Sequence, residues 1–172
     1  MSRLLIHKVF RDAPAIEMYA DADWDYDDAT RRSQSGCVIK VFGNTVMWQS
    51  SKQRCTSGST LESEYISYEK AARNTLWINN LLTAILPKTK CLPAITWCDN
   101  QACLSSLRDE FSRSDRLRHI DISYRFVREL VQRGTFKVDY VSSGQNSADV
   151  MTKALGGNMV ESATILLGMI RG

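Results

Sequence analysis

Short apolar stretches separated by polar, turn-rich ones run along most of this chain. AIEMYADA, from Ala15 to Ala22, reads as a strand that leaves the core and ends at acidic residues. WDYDDATRRSQS, which follows, is polar and reads as a turn region. GCVIKVF and TVMWQSS then read as two strands joined at Gly43-Asn44, a dipeptide that suits the positive backbone angles of a tight hairpin. Beyond them the period changes to that of a helix. Apolar residues stand at Tyr65, Tyr68, Ala72, Leu76, Ile78, Leu82 and Ile85, with Ser59 or Thr60 as the cap, Glu62 and Glu64 in the first turns, and Pro87 as the stop. AITWC reads as a buried strand, Gln101–Leu107 as a short helix, and HIDISYRFVRELVQR as a long helix ended by Gly134. FKVDYV alternates as a strand. Asn146 or Ser147 would cap a helix beginning SADVMTK, and an amphipathic helix from about Met159 to Met169 would follow. The resulting order, β-β-β-α-β-α-α-β-α, predicts a mixed sheet carrying helices on its faces. In such sheets the functional edge lies at the C-terminal ends of the parallel strands.

The 172 residues suffice for one well-cored domain, and the formal net charge of +3 is too small to indicate a partner. The distribution of charge says more. Arg113, Arg116, Arg118, Arg125, Arg128 and Arg133 fall in one stretch, while Asp21, Asp23, Asp25, Asp27 and Asp28 crowd another. A basic run beside an acidic site suits a polyanion that is held and then cut; the plainer alternative is a solvated helix face. The five cysteines form no CxxC pair and the chain has two histidines, which argues against a structural zinc site or a disulfide framework and for a reducing compartment. No apolar run approaches the roughly 20 residues that span a bilayer, and the N-terminus lacks an apolar signal segment.

Four acidic residues close or open different elements: Asp21 in YADADW, Glu64 in STLESEY, Asp99 in ITWCDNQ and Asp149 in QNSADVMTK. Such positions converge on one sheet edge, and converging carboxylates repel one another unless cations sit among them. All-oxygen ligands suit Mg²⁺ or Mn²⁺, and a pair of such ions roughly 3.5–4 Å apart is a known device for cutting phosphodiesters. Ordinary surface carboxylates at element ends are the alternative. Asp23 shares Asp21's face if the strand continues, as a supporting ligand or a turn residue. His119 could orient phosphate or move a proton, or cap a helix. Trp48, Trp77 and Trp97 are expected in the core. Cys98 is expected on the face opposite Asp99, as a packed thiol.

The strings YADADW, RRSQSGCVIKVFGNTVMWQSSKQ, STLESEYISYEKAARNTLW, WCDNQA, RHIDISYRFVREL and YVSSGQNSADVMTKAL occur in this order from Tyr19 to Leu155. Together they resemble the RNase H domain of copia-type LTR-retrotransposon polyproteins. The resemblance implies an α/β, RNase H-like fold: a five-stranded mixed sheet, with antiparallel hairpin strands plus parallel strands, and helices on both faces. It implies one domain over 1–172, in which 1–15 is a remnant of the connection to an upstream polymerase region and 156–172 a C-terminal helix. It implies hydrolysis of the RNA strand of RNA·DNA hybrids, with Asp21, Glu64, Asp99 and Asp149 as catalytic, metal-holding acids. Asp21 would bridge two Mg²⁺ ions, with Mn²⁺ as substitute. Asp149 would help hold the ion that activates water, and Glu64 and Asp99 the ion at the leaving 3′ oxygen. Gln101 matches a minor-groove contact, and Ser59 and Thr60 lie where relatives touch the nucleic-acid backbone. With them, Arg113, Arg116 and Arg118 form the candidate substrate contacts, with His119 and Asp23 as auxiliaries. Leu61, Gly58 and Arg125 depart from the pattern, as does the lack of histidine in VSSGQNSAD. The implied partners are the hybrid and the polymerase domain of the same polyprotein, with no membrane. The implied setting is intracellular, in a cytoplasmic virus-like particle or the nucleus. A domesticated, non-catalytic binding or interaction module on the same fold is the alternative function.

Overall fold

A computed structural model of the chain describes residues 3–5, 13–27, 31–108, 121–153 and 156–171. Its centre is a five-stranded sheet in the order β4-β3-β2-β5-β6. The strands are β2 (Ile16–Asp27), β3 (Arg32–Val41), β4 (Asn44–Lys52), β5 (Ala94–Cys98) and β6 (Phe136–Tyr140), preceded in the chain by a short β1 (Arg3–Leu5). β2, β3 and β4 form an antiparallel meander, whereas β2, β5 and β6 run parallel. The helices are α1 (Thr60–Ile85), α2 (Gln101–Arg108), α3 (Asp121–Gln132) and α4 (Gly157–Leu166).

Alternation along β2 separates two cores. Ile16, Met18 and Ala20 point to the side of α1, where they pack with Ile39, Tyr65, Tyr68, Ala72, Val127, Phe136 and Val138. Tyr19 points to the other side, into a smaller cluster with Val38, Ala148 and Leu167. The sheet is therefore covered on both faces, by α1–α3 on one and by the segments around Ala148 and Leu167 on the other. Asp21, two residues beyond Tyr19, continues the second face into the polar rim.

Several elements differ from the sequence expectation. The polar stretch after Asp23 is not a long turn: β2 continues to Asp27 and β3 begins at Arg32, with the pairing shifted between Asp23 and Asp27. A β-bulge lets a strand carry unpaired polar residues and bend, and polar composition alone does not reveal one. The expected helix at SADVMTK is replaced by short 3-10 turns at Ser143–Gln145 and Asp149–Met151. The last helix ends at Leu166, and β7 (Met169–Arg171) then pairs antiparallel with β1. Trp48 and Trp77, expected inside, are 54% and 57% exposed. Trp48 lies on edge strand β4, paired with Val38, and Trp77 lies on the solvent side of α1 next to the buried Ile78. Cys98 is buried, as alternation predicts.

Candidate active site

The parallel pairing of β2 with β5 sets the first two acids side by side. Glu17 pairs with Ile95, Met18 with Thr96 and Tyr19 with Trp97. Continued by two residues, the same register brings Asp21 beside Asp99, the residue after β5. On its other side Asp21 pairs with Gly36 of β3. That glycine matters because a Cβ there would lie 2.8 Å from Ala148 O, Met151 Cβ and Thr152 Cγ2. The segment carrying Asp149 lies against the sheet at the one position where no side chain intervenes.

That segment is held by side chains. Asn146 Nδ2 donates to Ala20 O at 3.1 Å, and its Oδ1 accepts from Ala148 N–H at 3.1 Å. The Thr152 hydroxyl donates to Asp21 Oδ2. These bonds bring Asp149 alongside Asp21 of β2. One carboxylate oxygen each from Asp21, Asp99 and Asp149 then lies within 4.8 Å of the others. Lys153 Nζ donates to Asp149 Oδ1.

Glu64 enters from α1. Ser59 caps this helix, its side chain accepting from Glu62 N–H at 3.2 Å, while Glu62 Oε2 accepts from Gly58 N–H at 2.6 Å. This is close to a capping box, and it occupies Glu62 with the helix start. Farther along, Ser67 Oγ donates to Asp21 O at 2.7 Å and ties α1 to β2 at the site. Glu64, one turn earlier, is 6% exposed and receives no hydrogen bond from the described residues. A buried carboxylate without a donor is costly.

The electrostatics follow from this crowding. Burial, with smaller contributions from Asp99 and Asp149, pushes the Asp21 carboxyl up to about 6, although the Thr152 hydrogen bond and Lys153 oppose the shift. Burial, then Asp21, raises Glu64 well above the usual carboxylate range. Partial burial works against the Lys153 ammonium, but Asp149, Asp21 and Asp99 outweigh it and its pKa is raised. The oxygen-only donor set of Asp21, Asp99 and Asp149 and its spacing fit a hard divalent cation such as Mg²⁺ or Mn²⁺, whereas Glu64, buried nearby, lies outside that close group.

No protein-family model matches the chain. The chain is 31% identical over 156 residues to the Retrovirus-related Pol polyprotein from transposon TNT 1-94 of Nicotiana tabacum, a match covering 91% of the chain and 12% of that protein. It is 30% identical over 158 residues to the corresponding polyprotein from transposon RE1 of Arabidopsis thaliana, covering 91% of the chain and 11% of that protein. Its homologues are copia-type retrotransposon Pol polyproteins. The chain spans about an eighth of the length of the first of these relatives. Among solved structures, LC11-RNase H1 in complex with RNA/DNA hybrid superposes with a TM-score of 0.56 at 12% identity, covering 80% of this chain and 93% of that one. The fold of the chain is that of RNase H.

The other candidate residues lie at various depths. Asp23 is half-buried on β2, opposite Gln34. Ser59 is half-buried and its hydroxyl serves the cap, whereas Thr60 is exposed at the start of α1. Gln101 is exposed as the first residue of α2, two positions after Asp99. Arg113, Arg116, Arg118 and His119 lie outside the described residues. Trp24 is 45% exposed, and its Nε1 donates to Ser57 O at 3.2 Å, joining β2 to the loop before α1. Sequence reasoning passed over Gly36, Thr152 and Lys153. The spacing of Lys153 four residues after Asp149 was the available signal. Gly36 and Thr152 had none, since their roles depend on contacts distant in the chain.

Proposed function

We propose that this chain is a divalent-cation-dependent ribonuclease H that hydrolyses the RNA strand of RNA·DNA hybrids. The RNase H fold and the Pol homology support the ribonuclease assignment. The convergence of Asp21, Asp99 and Asp149, with unpaired Glu64 buried beside them, carries the mechanistic part of the reading. Asp21, Glu64, Asp99 and Asp149 would hold two Mg²⁺ or Mn²⁺ ions. Such ions supply a hydroxide-like nucleophile at neutral pH and stabilise charge on the leaving oxygen.

The chain's own residues organise that site. Thr152 fixes one oxygen of Asp21 and leaves the other for a cation. Ser67 and Asn146 hold the β2 backbone on either side of the site, so the carboxylates are positioned before substrate arrives. Gln101, exposed at the start of α2, would contact a minor groove, where 2′-hydroxyls distinguish RNA from DNA. Thr60 and the N-terminal end of α1 would meet the sugar-phosphate backbone. Arg113, Arg116 and Arg118 would add sequence-independent phosphate contacts. The expected partner within a polyprotein is its polymerase segment.

The test is cleavage of an end-labelled RNA·DNA hybrid, with matched duplex DNA and duplex RNA as controls, in Mg²⁺, in Mn²⁺ and in chelator. Hybrid-selective, cation-dependent RNA cleavage is expected. Asp99→Asn should lower it by several orders of magnitude, about 4 kcal/mol or more in barrier terms, while leaving the chain folded. Absence of cleavage with either cation, or near-parental cleavage by the variant, would defeat the reading.

A further inference from the structure

Two consecutive residues beside the carboxylate cluster each occupy one of its oxygens. Thr152 donates to Asp21 Oδ2, and Lys153 donates to Asp149 Oδ1. Lys153 differs from the other ion-paired cations described. Arg73–Glu69 and Arg133–Glu129 are also spaced by four residues, but they lie on helix surfaces away from the acids. Exposed pairs of that kind contribute little. The partner of Lys153 is instead only 17% exposed and belongs to the three-carboxylate group, whereas the Lys153 side chain is itself 42% exposed. Its charge therefore acts on the site while its four-carbon stem has room to swing into solvent.

We propose that Lys153 is the resident counter-cation of this site: its ammonium holds Asp149 while no divalent ion is bound, and must leave that oxygen for an ion to enter. The inference rests on the cation-dependent reading above and adds to it a residue that sets the ion concentration at which the site fills. The physical basis is competition for the same carboxylate charge. An ammonium partly neutralises the empty cluster, which makes the cation-free fold more stable and weakens the attraction for an incoming ion. An ordinary structural ion pair would do only the first. Removing Lys153 should therefore move two measurements in opposite directions, one being stability without metal and the other affinity for metal.

The experiment measures Mn²⁺ binding by calorimetry to the intact chain without nucleic acid, alongside thermal melts in chelator and in Mn²⁺. Lys153→Met and Lys153→Gln should melt lower than the parent in chelator, yet bind Mn²⁺ roughly five- to fifty-fold more tightly. Lys153→Arg, which keeps the charge, should stay near the parent in affinity. Equal or weaker Mn²⁺ binding by the neutral variants, with the parent binding normally, overturns the counter-cation role and leaves the ribonuclease reading standing. No binding by any of the proteins up to millimolar Mn²⁺ instead removes the metal site on which both depend. If neither neutral variant folds even in Mn²⁺, Lys153 is a structural residue and the proposal falls.

Discussion

Gly36 and Asp21 face each other across β2 and β3, and each shows how one side chain, or its lack, shapes the site. A methyl group at Gly36 would press on Ala148, Met151 and Thr152 at 2.8 Å, two of these contacts being with side-chain carbons and one with backbone. Gly36→Ala should therefore push the Asp149 segment off the sheet, costing about 1–3 kcal/mol in a urea melt. Cleavage at a temperature where the variant is fully folded should fall as well, because Asp149 and Thr152 move with the segment. Retained cleavage would show that the segment tolerates displacement. At Asp21, burial raises the folded-state pKa to about 6 from an unperturbed 3.8. Between these values the folded state holds a proton that the unfolded state has released, so stability in chelator falls as pH rises from about 4 to about 6. Above that window the loss is complete, on the order of a few kcal/mol. Glu64, shifted in the same direction, extends the trend to higher pH. Asp21→Asn should flatten this part of the stability–pH curve. An unchanged curve would show that Asp21 is solvated in the empty site.

Element by element, the start of α1 divides two glutamates of the same motif between different tasks. Glu62 accepts from Gly58 N–H, and its own N–H donates to Ser59. Glu64, half a turn later, is buried without a donor. Opposite responses follow for what are formally identical substitutions. Glu62→Gln weakens a charge-assisted bond at a helix N-terminus and should destabilise the chain by about 1 kcal/mol with cleavage largely kept. Glu64→Gln removes an unpaired buried charge and should raise the melting temperature in chelator while abolishing cleavage. Melts and hybrid cleavage of both variants provide the check, and a shared response would mean that the capping geometry does not separate them. The loop carrying Asp149 makes the complementary point. SADVMTK has polar starting residues and an apolar pair that suit a helix, but Asn146 and Thr152 spend their side chains on β2. Only a 3-10 turn survives between them. Local propensity is overridden where side-chain bonds to another element are available.

For the whole molecule, the site is a region of stored repulsion on an otherwise well-packed sheet. A ligand that binds only the folded state stabilises it in proportion to the logarithm of its concentration. Mn²⁺ varied over ten-fold steps should thus raise the melting temperature steadily. The rise should be larger at pH 8 than at pH 5, where a protonated Asp21 competes with the ion. No shift up to millimolar Mn²⁺ would count against a formed cation site.

Much of this architecture was legible in the chain itself. The two-residue period of the strands, the Gly43-Asn44 hairpin, the capped and Pro-terminated α1 and the order of elements all arise from neighbours in sequence, whose chemistry acts over one turn or one strand pair. They sufficed for a mixed sheet with helices and for Glu64, Asp99 and Asp149 near the ends of elements, whereas Asp21 lies within β2, which runs on to Asp27. Other features depend on what distant segments do to each other. The bulged extension of β2 and the pairing of β1 with β7 are cross-strand events. The exposure of Trp48, on an edge strand, reflects how far the covering elements reach, and that of Trp77 which side of α1 packs on the core. The space left by Gly36 and the Thr152 bond to Asp21 join residues more than a hundred positions apart into one electrostatic unit. Periodicity states which way a side chain faces, but only the packed sheet determines which charges share a low-dielectric site.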